Sequence, residues 1–117
     1  MERKTIIAIG AHFDDVEINC GGTLALAQSL GYTIIVIVLG NGVYKDRNNK
    51  ITRSVYMAKI ECLKSLKKLN LKTKNLIVLN YKETAIPFNE KIIKKIDKIL
   101  LKYENPLILT HSVYDSH

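Results

Sequence analysis

Four apolar, β-branched stretches punctuate the sequence: "TIIAIG" (5–10), "YTIIVIVLG" (32–40), "NLIVLN" (75–80) and "PLILT" (106–110). None of them alternates apolar with polar residues, as a strand with one wet face does. A strand that is apolar on both faces must be covered on both faces. That requirement restricts the chain to a parallel sheet held between layers of helix. The intervening segments supply the helices. "GTLALAQSL" (22–30) carries good helix formers, and Gly31 stops it. Between 52 and 69, Val55, Ala58, Cys62, Leu66 and Leu69 recur at a helical period. "NEKIIKKIDKILLKYE" (89–104) repeats Ile and Leu among lysines and offers Asn89 as a cap. "NGVYKDRNNK" (41–50) and "YKETAIP" (81–87) read as polar loops.

The order β-α-β-α-β-α-β predicts an α/β fold: a Rossmann-like, doubly wound parallel sheet with helices on both faces. Right-handed crossovers favour the strand order 3-2-1-4 within a single domain, 1–117. Strands 1 and 4 are then neighbours where the winding reverses, and ligands bind outside the carboxyl ends of strands at that point. The loops leaving these two strands are "AHFDDVE" and "HSVYDSH", and they hold all three histidines, His12, His111 and His117.

Composition narrows the function classes. The net charge is +7, but the lysines are interleaved with Leu and Ile at helical spacing and read as wet helix faces. No aromatics are interleaved for base stacking, so no nucleic-acid partner is expected. No run approaches the roughly 18 apolar residues of a membrane span. The start "MERKTIIAIG" runs straight into charges and does not read as a signal peptide, so a cytoplasmic location is expected. Cys20 and Cys62 lie in no C-x-x-C pattern and read as reduced, packed thiols.

His12 and Asp15 leave strand 1 separated by two residues, and a turn can aim both inward. An imidazole nitrogen and a carboxylate oxygen are two of the three protein ligands of a catalytic zinc site, which keeps one position open for water. Asp14 can take that water's proton, and a protonated histidine of the opposite loop can stabilise an oxyanion. In isolation, the same residues also fit a histidine hydrogen-bonded at a loop start and aspartates that are solvated or cap the next helix. The strand-end position, the "CGG" that follows and the histidine-rich fourth loop favour the metal reading. Glu17 reads as capping or bracing the loop. A phosphoacceptor receiver-like signalling domain also carries paired acids after strand 1, with magnesium. It needs an aspartate at the end of strand 3, where this chain has "VLNYKE". The first strand-helix turn lacks the G-x-G-x-x-G of a dinucleotide site.

"GAHFDDVEINCGGTLA" resembles the first signature of the PIG-L/LmbE family of zinc-dependent N-deacetylases, A-H-P-D-D followed by Glu. "LILTHSVYDSH" resembles its second, T-H-x-x-x-D-x-H-x-D-H. The resemblance extends through "LGNG", "TR", "ECLKSLKKLNL" and "NYKETAIPFNEK". It implies hydrolysis of the N-acetyl group of an N-acetylglucosamine-type sugar or conjugate, with zinc or another divalent metal. His12 and Asp15 would be metal ligands, Asp14 the general base, and His117 the histidine that stabilises the tetrahedral intermediate. His111 and Asp115 would shape the loop, and Arg53 would contact substrate. Phe13 replaces the usual proline and is expected to alter the loop or wall the pocket. The third ligand of the family pattern would fall three positions after His117. The chain is therefore expected to be the N-terminal portion of a deacetylase domain, inactive and weak in zinc binding alone, with self-association through uncovered apolar faces. The alternative is a non-catalytic remnant of the fold.

Overall fold

Residues 5 to 10 are apolar apart from Thr5, and burial is favourable for them. In a computed structural model of the chain, which describes residues 4–115, they form the inner strand β1 (Thr5–Gly10). The chain continues through α1 (Asp15–Ser29), β2 (Thr33–Gly40), β3 (Tyr44–Lys45), β4 (Ile51–Arg53), α2 (Val55–Lys68), β5 (Leu76–Tyr81), α3 (Glu90–Leu100) and β6 (Leu107–Leu109). A short 3-10 turn, Thr73–Asn75, leads into β5.

The main sheet has the order β5-β2-β1-β6. All three pairings are parallel, with Thr5 opposite Thr33, Ile6 opposite Leu107 and Val36 opposite Leu76. Counting only these four strands, that is the expected 3-2-1-4 arrangement. The chain numbering differs because of a separate antiparallel hairpin, β3–β4. Sequence reading placed residues 41–50 in a loop and began the next helix at about 52. The hairpin's strands are two and three residues long, and its turn is held locally. Asp46 Oδ1 accepts the amide hydrogens of Asn48 (2.8 Å) and Lys50 (2.9 Å). Short polar strands set by Asx turns leave no periodic signal.

Side-chain alternation along β1 and β2 splits the core in two. On one face Ile6, Ala8, Ile34, Val36 and Val38 meet α1 and α2 through Val16, Leu24, Ala58, Cys62 and Leu66. On the other, Ile7, Ile35 and Ile37 meet Ile99, Leu100 and Tyr103 at the end of α3 and just beyond. Phe13 is buried in the first of these clusters. Phe13 lines neither of the two cavities beside His12 and Asp15.

The helices depart from expectation at their starts. α1 begins at Asp15, not at Gly22, so Gly21 and Gly22 lie inside the helix and do not open it. A Cβ on Gly21 would stand 3.0 Å from Leu69 Cδ1, so the glycine lets α1 pass close to the end of α2. α2 begins at Val55, after Ser54, whose Oγ accepts the Met57 amide hydrogen. Such a cap contributes about 1 kcal/mol. Thr52 and Arg53 therefore belong to β4 and not to the helix. Asn89 caps α3 as expected, accepting from the Ile92 amide at 3.1 Å. α3 stops at Leu100, four residues short of the expected end. α1 also exposes Ile18 and Leu26, and Leu30 just after it is exposed as well.

Candidate active site

β1 ends at Gly10 because the next residues turn sharply across the top of the sheet. Neighbouring strands fasten that turn. Gly40 at the end of β2 donates its amide hydrogen to Ala11 O at 2.9 Å. The Ala11 amide donates to His111 Nε2 at 3.0 Å, in the loop after β6. Thr110 Oγ1 donates to Ile9 O at 3.0 Å. The loops after the first and fourth strands of the main sheet thus face each other, as the topology requires.

Asp15 sits where the turn becomes helix. Its Oδ2 accepts the His12 amide hydrogen at 2.9 Å and lies 3.8 Å from His12 Nδ1 and 3.2 Å from His111 Nε2. His111 Nδ1 is 2.9 Å from Asp115 Oδ2, which pins the β6 loop. His12, Asp15, His111 and Asp115 therefore converge. His117 lies outside the described residues. Among the described residues, no group of three or more His, Cys, Asp or Glu side chains is arranged to hold a metal ion. His12 and Asp15 nonetheless present a nitrogen and an oxygen to the same space, a donor pair whose chemistry suits zinc and similar divalent ions.

Asp14, the residue before α1, has a left-handed backbone (φ 77°) and makes no side-chain cap. Its carboxylate is half-exposed, with Oδ2 at 3.9 Å from Arg53 Nη1. Arg53 is not a surface residue: its side chain is only 13% exposed. Its Nε donates to Gly42 O at 2.8 Å, and Nη1 reaches Glu61 Oε2 at 3.5 Å. Its guanidinium stands 4.2 Å over the Tyr44 ring, while Nη2 is buried without a hydrogen-bond partner. A desolvated guanidinium nitrogen next to Asp14 is suited to receive a substrate oxygen.

Glu17 lies within α1, its carboxylate buried beside Asp14. Burial, and then the negative charge of Asp14, raise its pKa above the ordinary carboxylate value. Cys20 and Cys62 are free thiols. Burial, helped by the Glu17 and Asp14 charges, pushes Cys62 up to about 12.

Sequence reading missed Glu83, in the loop after β5. His12 Nε2 lies 3.3 Å from both its backbone oxygen and its Oε2. A lone glutamate in a polar loop carries no motif, and only tertiary approach reveals it. Two cavities flank His12 and Asp15. One, of about 550 Å³, lies between α1 and the β6 loop and is lined by Asn19, Cys20, Thr110 and His111. The other, of about 870 Å³, opens between the hairpin and the β5 loop, with His12, Asn41, Tyr44, Lys45, Ile51 and Glu83 in its wall.

Comparisons with known proteins agree with this arrangement. The uncharacterised deacetylase YaiS of Escherichia coli K12 is 46% identical over 41 residues, 35% of this chain and 22% of that protein. The N,N'-diacetylchitobiose deacetylase of Pyrococcus horikoshii, solved with an inhibitor, superposes with a TM-score of 0.72 at 26% identity, over 86% of this chain and 38% of its own. Two others share the fold at lower identity. The 4-carboxy-2-hydroxymuconate hydratase GalB of Pseudomonas putida KT2440 gives a TM-score of 0.77 at 16% identity, over 97% of this chain and 49% of its own. A deacetylase of teicoplanin biosynthesis gives 0.75 at 15%, over 97% and 57%. The chain thus spans between about a fifth and somewhat more than half of the length of these relatives. The family model described as GlcNAc-PI de-N-acetylase, whose deacetylases are generally metal-dependent, matches residues 7–117, and the chain belongs to that PIG-L family.

Proposed function

We propose that these residues form the first half of a metal-dependent N-deacetylase site, acting on the N-acetyl group of an N-acetylglucosamine-type sugar or conjugate and releasing acetate and a free amine. The observation that carries this reading is the convergence of His12 and Asp15 at the carboxyl ends of the strands, with Asp14 between them in sequence and beside Arg53. His12 and Asp15 would hold the metal, zinc being the first choice. When bound, the metal supplies Lewis-acid activation of water and carbonyl.

The chain's own residues do the rest. Asp14 accepts the proton of the attacking water, since its carboxylate is accessible and lies beside Arg53. Water adds to the amide carbon, the carbon-nitrogen bond breaks, and the amine leaves with a proton. Arg53 Nη2 offers a donor to a substrate oxygen. His117, by its place in the motif, is assigned the donor to the developing oxyanion. His111 and Asp115 position the β6 loop. The substrate is a small molecule, and no nucleic-acid partner is proposed.

The described residues supply two metal donors, so a chain limited to them is expected to bind zinc weakly and turn over slowly. That observation also sustains the alternative, a non-catalytic form of the fold. Incubation with an N-acetylglucosamine conjugate and assay of acetate tests both readings, with Asp14→Asn as control. The proposal expects zinc-dependent acetate release from a chain extended through the second motif, falling by about 10²- to 10⁴-fold in the variant. No release from the extended chain would favour the non-catalytic reading.

A further inference from the structure

Glu83 occupies a built seat. Its side chain is 6% exposed, and Oε1 accepts the Gly42 amide hydrogen. A Cβ on Gly40 would stand 2.6 Å from Oε2, so any residue but glycine there would push the carboxylate out. Gly42 has φ 79°, a left-handed backbone that turns its amide toward the glutamate. Two glycines at the end of β2 thus admit and hold one acid from the loop after β5. Oε2 is buried and accepts no hydrogen bond of ordinary geometry, and His12 Nε2 lies 3.3 Å from it. The backbone oxygen of Glu83 lies equally close to the same nitrogen.

An imidazole nitrogen facing two oxygens and no donor carries the proton. The other nitrogen, Nδ1, then keeps its lone pair, and it is Nδ1 that faces Asp15 Oδ2 at 3.8 Å. We propose that Glu83 is a positioning residue: it fixes His12 as the Nε2–H tautomer and so aims the Nδ1 lone pair into the metal-binding space shared with Asp15. A carboxylate behind a ligating histidine also raises the ligand's basicity. The inference rests on the deacetylase reading for its purpose, but not for its geometry.

The test uses the full chain without metal. Long-range proton–nitrogen NMR spectra report the tautomer of His12, its signals being identified by their loss in His12→Gln. The wild type is expected to show the Nε2–H form. Glu83→Gln keeps the volume but has a single acceptor oxygen. It cannot serve both the Gly42 amide and His12, so the Nε2–H population should fall. Zinc affinity, measured by calorimetry, should drop about 10- to 100-fold, and Glu83→Asp should recover part of it. A wild-type His12 in the Nδ1–H form would overturn the assignment whatever the variants do. So would an unchanged tautomer and unchanged zinc affinity in a folded Glu83→Gln. If the wild type binds no zinc but its tautomer depends on Glu83, the positioning role stands and the metal reading fails.

Discussion

His111 Nε2 stands 3.2 Å from Asp15 Oδ2 and 3.0 Å from the amide nitrogen of Ala11. One imidazole therefore ties the loop after the fourth strand of the main sheet to the turn after the first, and the same ring is gripped from behind by Asp115. His111→Ala leaves the partly buried Ala11 amide without its acceptor. A loss of about 1 to 3 kcal/mol follows from an unsatisfied donor, and partial exposure places this case near the lower end. Urea denaturation and hydrogen exchange at the Ala11 amide would read it. An unchanged midpoint and unchanged protection at Ala11 would refute the tie.

His12→Ala is expected to abolish most zinc binding, because it removes one of the two donors that face each other across 3.8 Å. Equilibrium dialysis against zinc measures it. Stoichiometry and affinity equal to the wild type would move the metal elsewhere.

Glu17 gives a pH signature. Its folded pKa lies above the value of 4.5 for the free side chain, because burial and Asp14 both oppose ionisation. As pH rises through 4.5 the unfolded chain ionises first, so the folded state loses stability until the folded pKa is passed, and the loss then levels off. Glu17→Gln removes this dependence. The variant should be more stable than wild type at about pH 7.5, with the gap closing at about pH 4, in parallel urea titrations. Equal midpoints at both pH values would mean that Glu17 is not held in the buried setting described.

The two thiols should differ in reactivity. Cys62 is buried, with its pKa pushed up to about 12, whereas Cys20 is only half-buried. At about pH 8 the thiolate fraction of Cys62 is on the order of one in 10⁴. A maleimide is expected to label Cys20 first and Cys62 only after denaturant is added, with peptide mass spectrometry as the readout. Equal labelling of both in the native protein would contradict the core packing.

The sheet was legible because β1 and β2 are apolar on both faces, and only a doubly covered parallel sheet accommodates that. The facing of His12 and Asp15 by His111 followed from the order of strands. The start of α1 carries its own signal: Asp15 and Glu17 form an acidic first turn, which suits the positive end of a helix dipole. The glycine pair drew attention instead, although Gly21 serves the contact with Leu69. The hairpin and Glu83 were not legible. The first depends on Asp46 bonding its own turn, and the second on a loop brought to His12 by the sheet. The burial of Arg53 likewise arises from the hairpin that folds Tyr44 under it.

The left-handed backbone of Asp14 sets stability and activity against each other at one position. For an L-residue φ 77° costs up to roughly 1 to 2 kcal/mol, least for asparagine and aspartate, whereas glycine adopts it freely. Asp14→Gly should therefore raise the unfolding midpoint while removing the carboxylate on which the proposed chemistry depends. A library screened for thermostability alone would drift toward glycine here and discard the base. Asparagine, which tolerates the same backbone, isolates the chemical role from the conformational one.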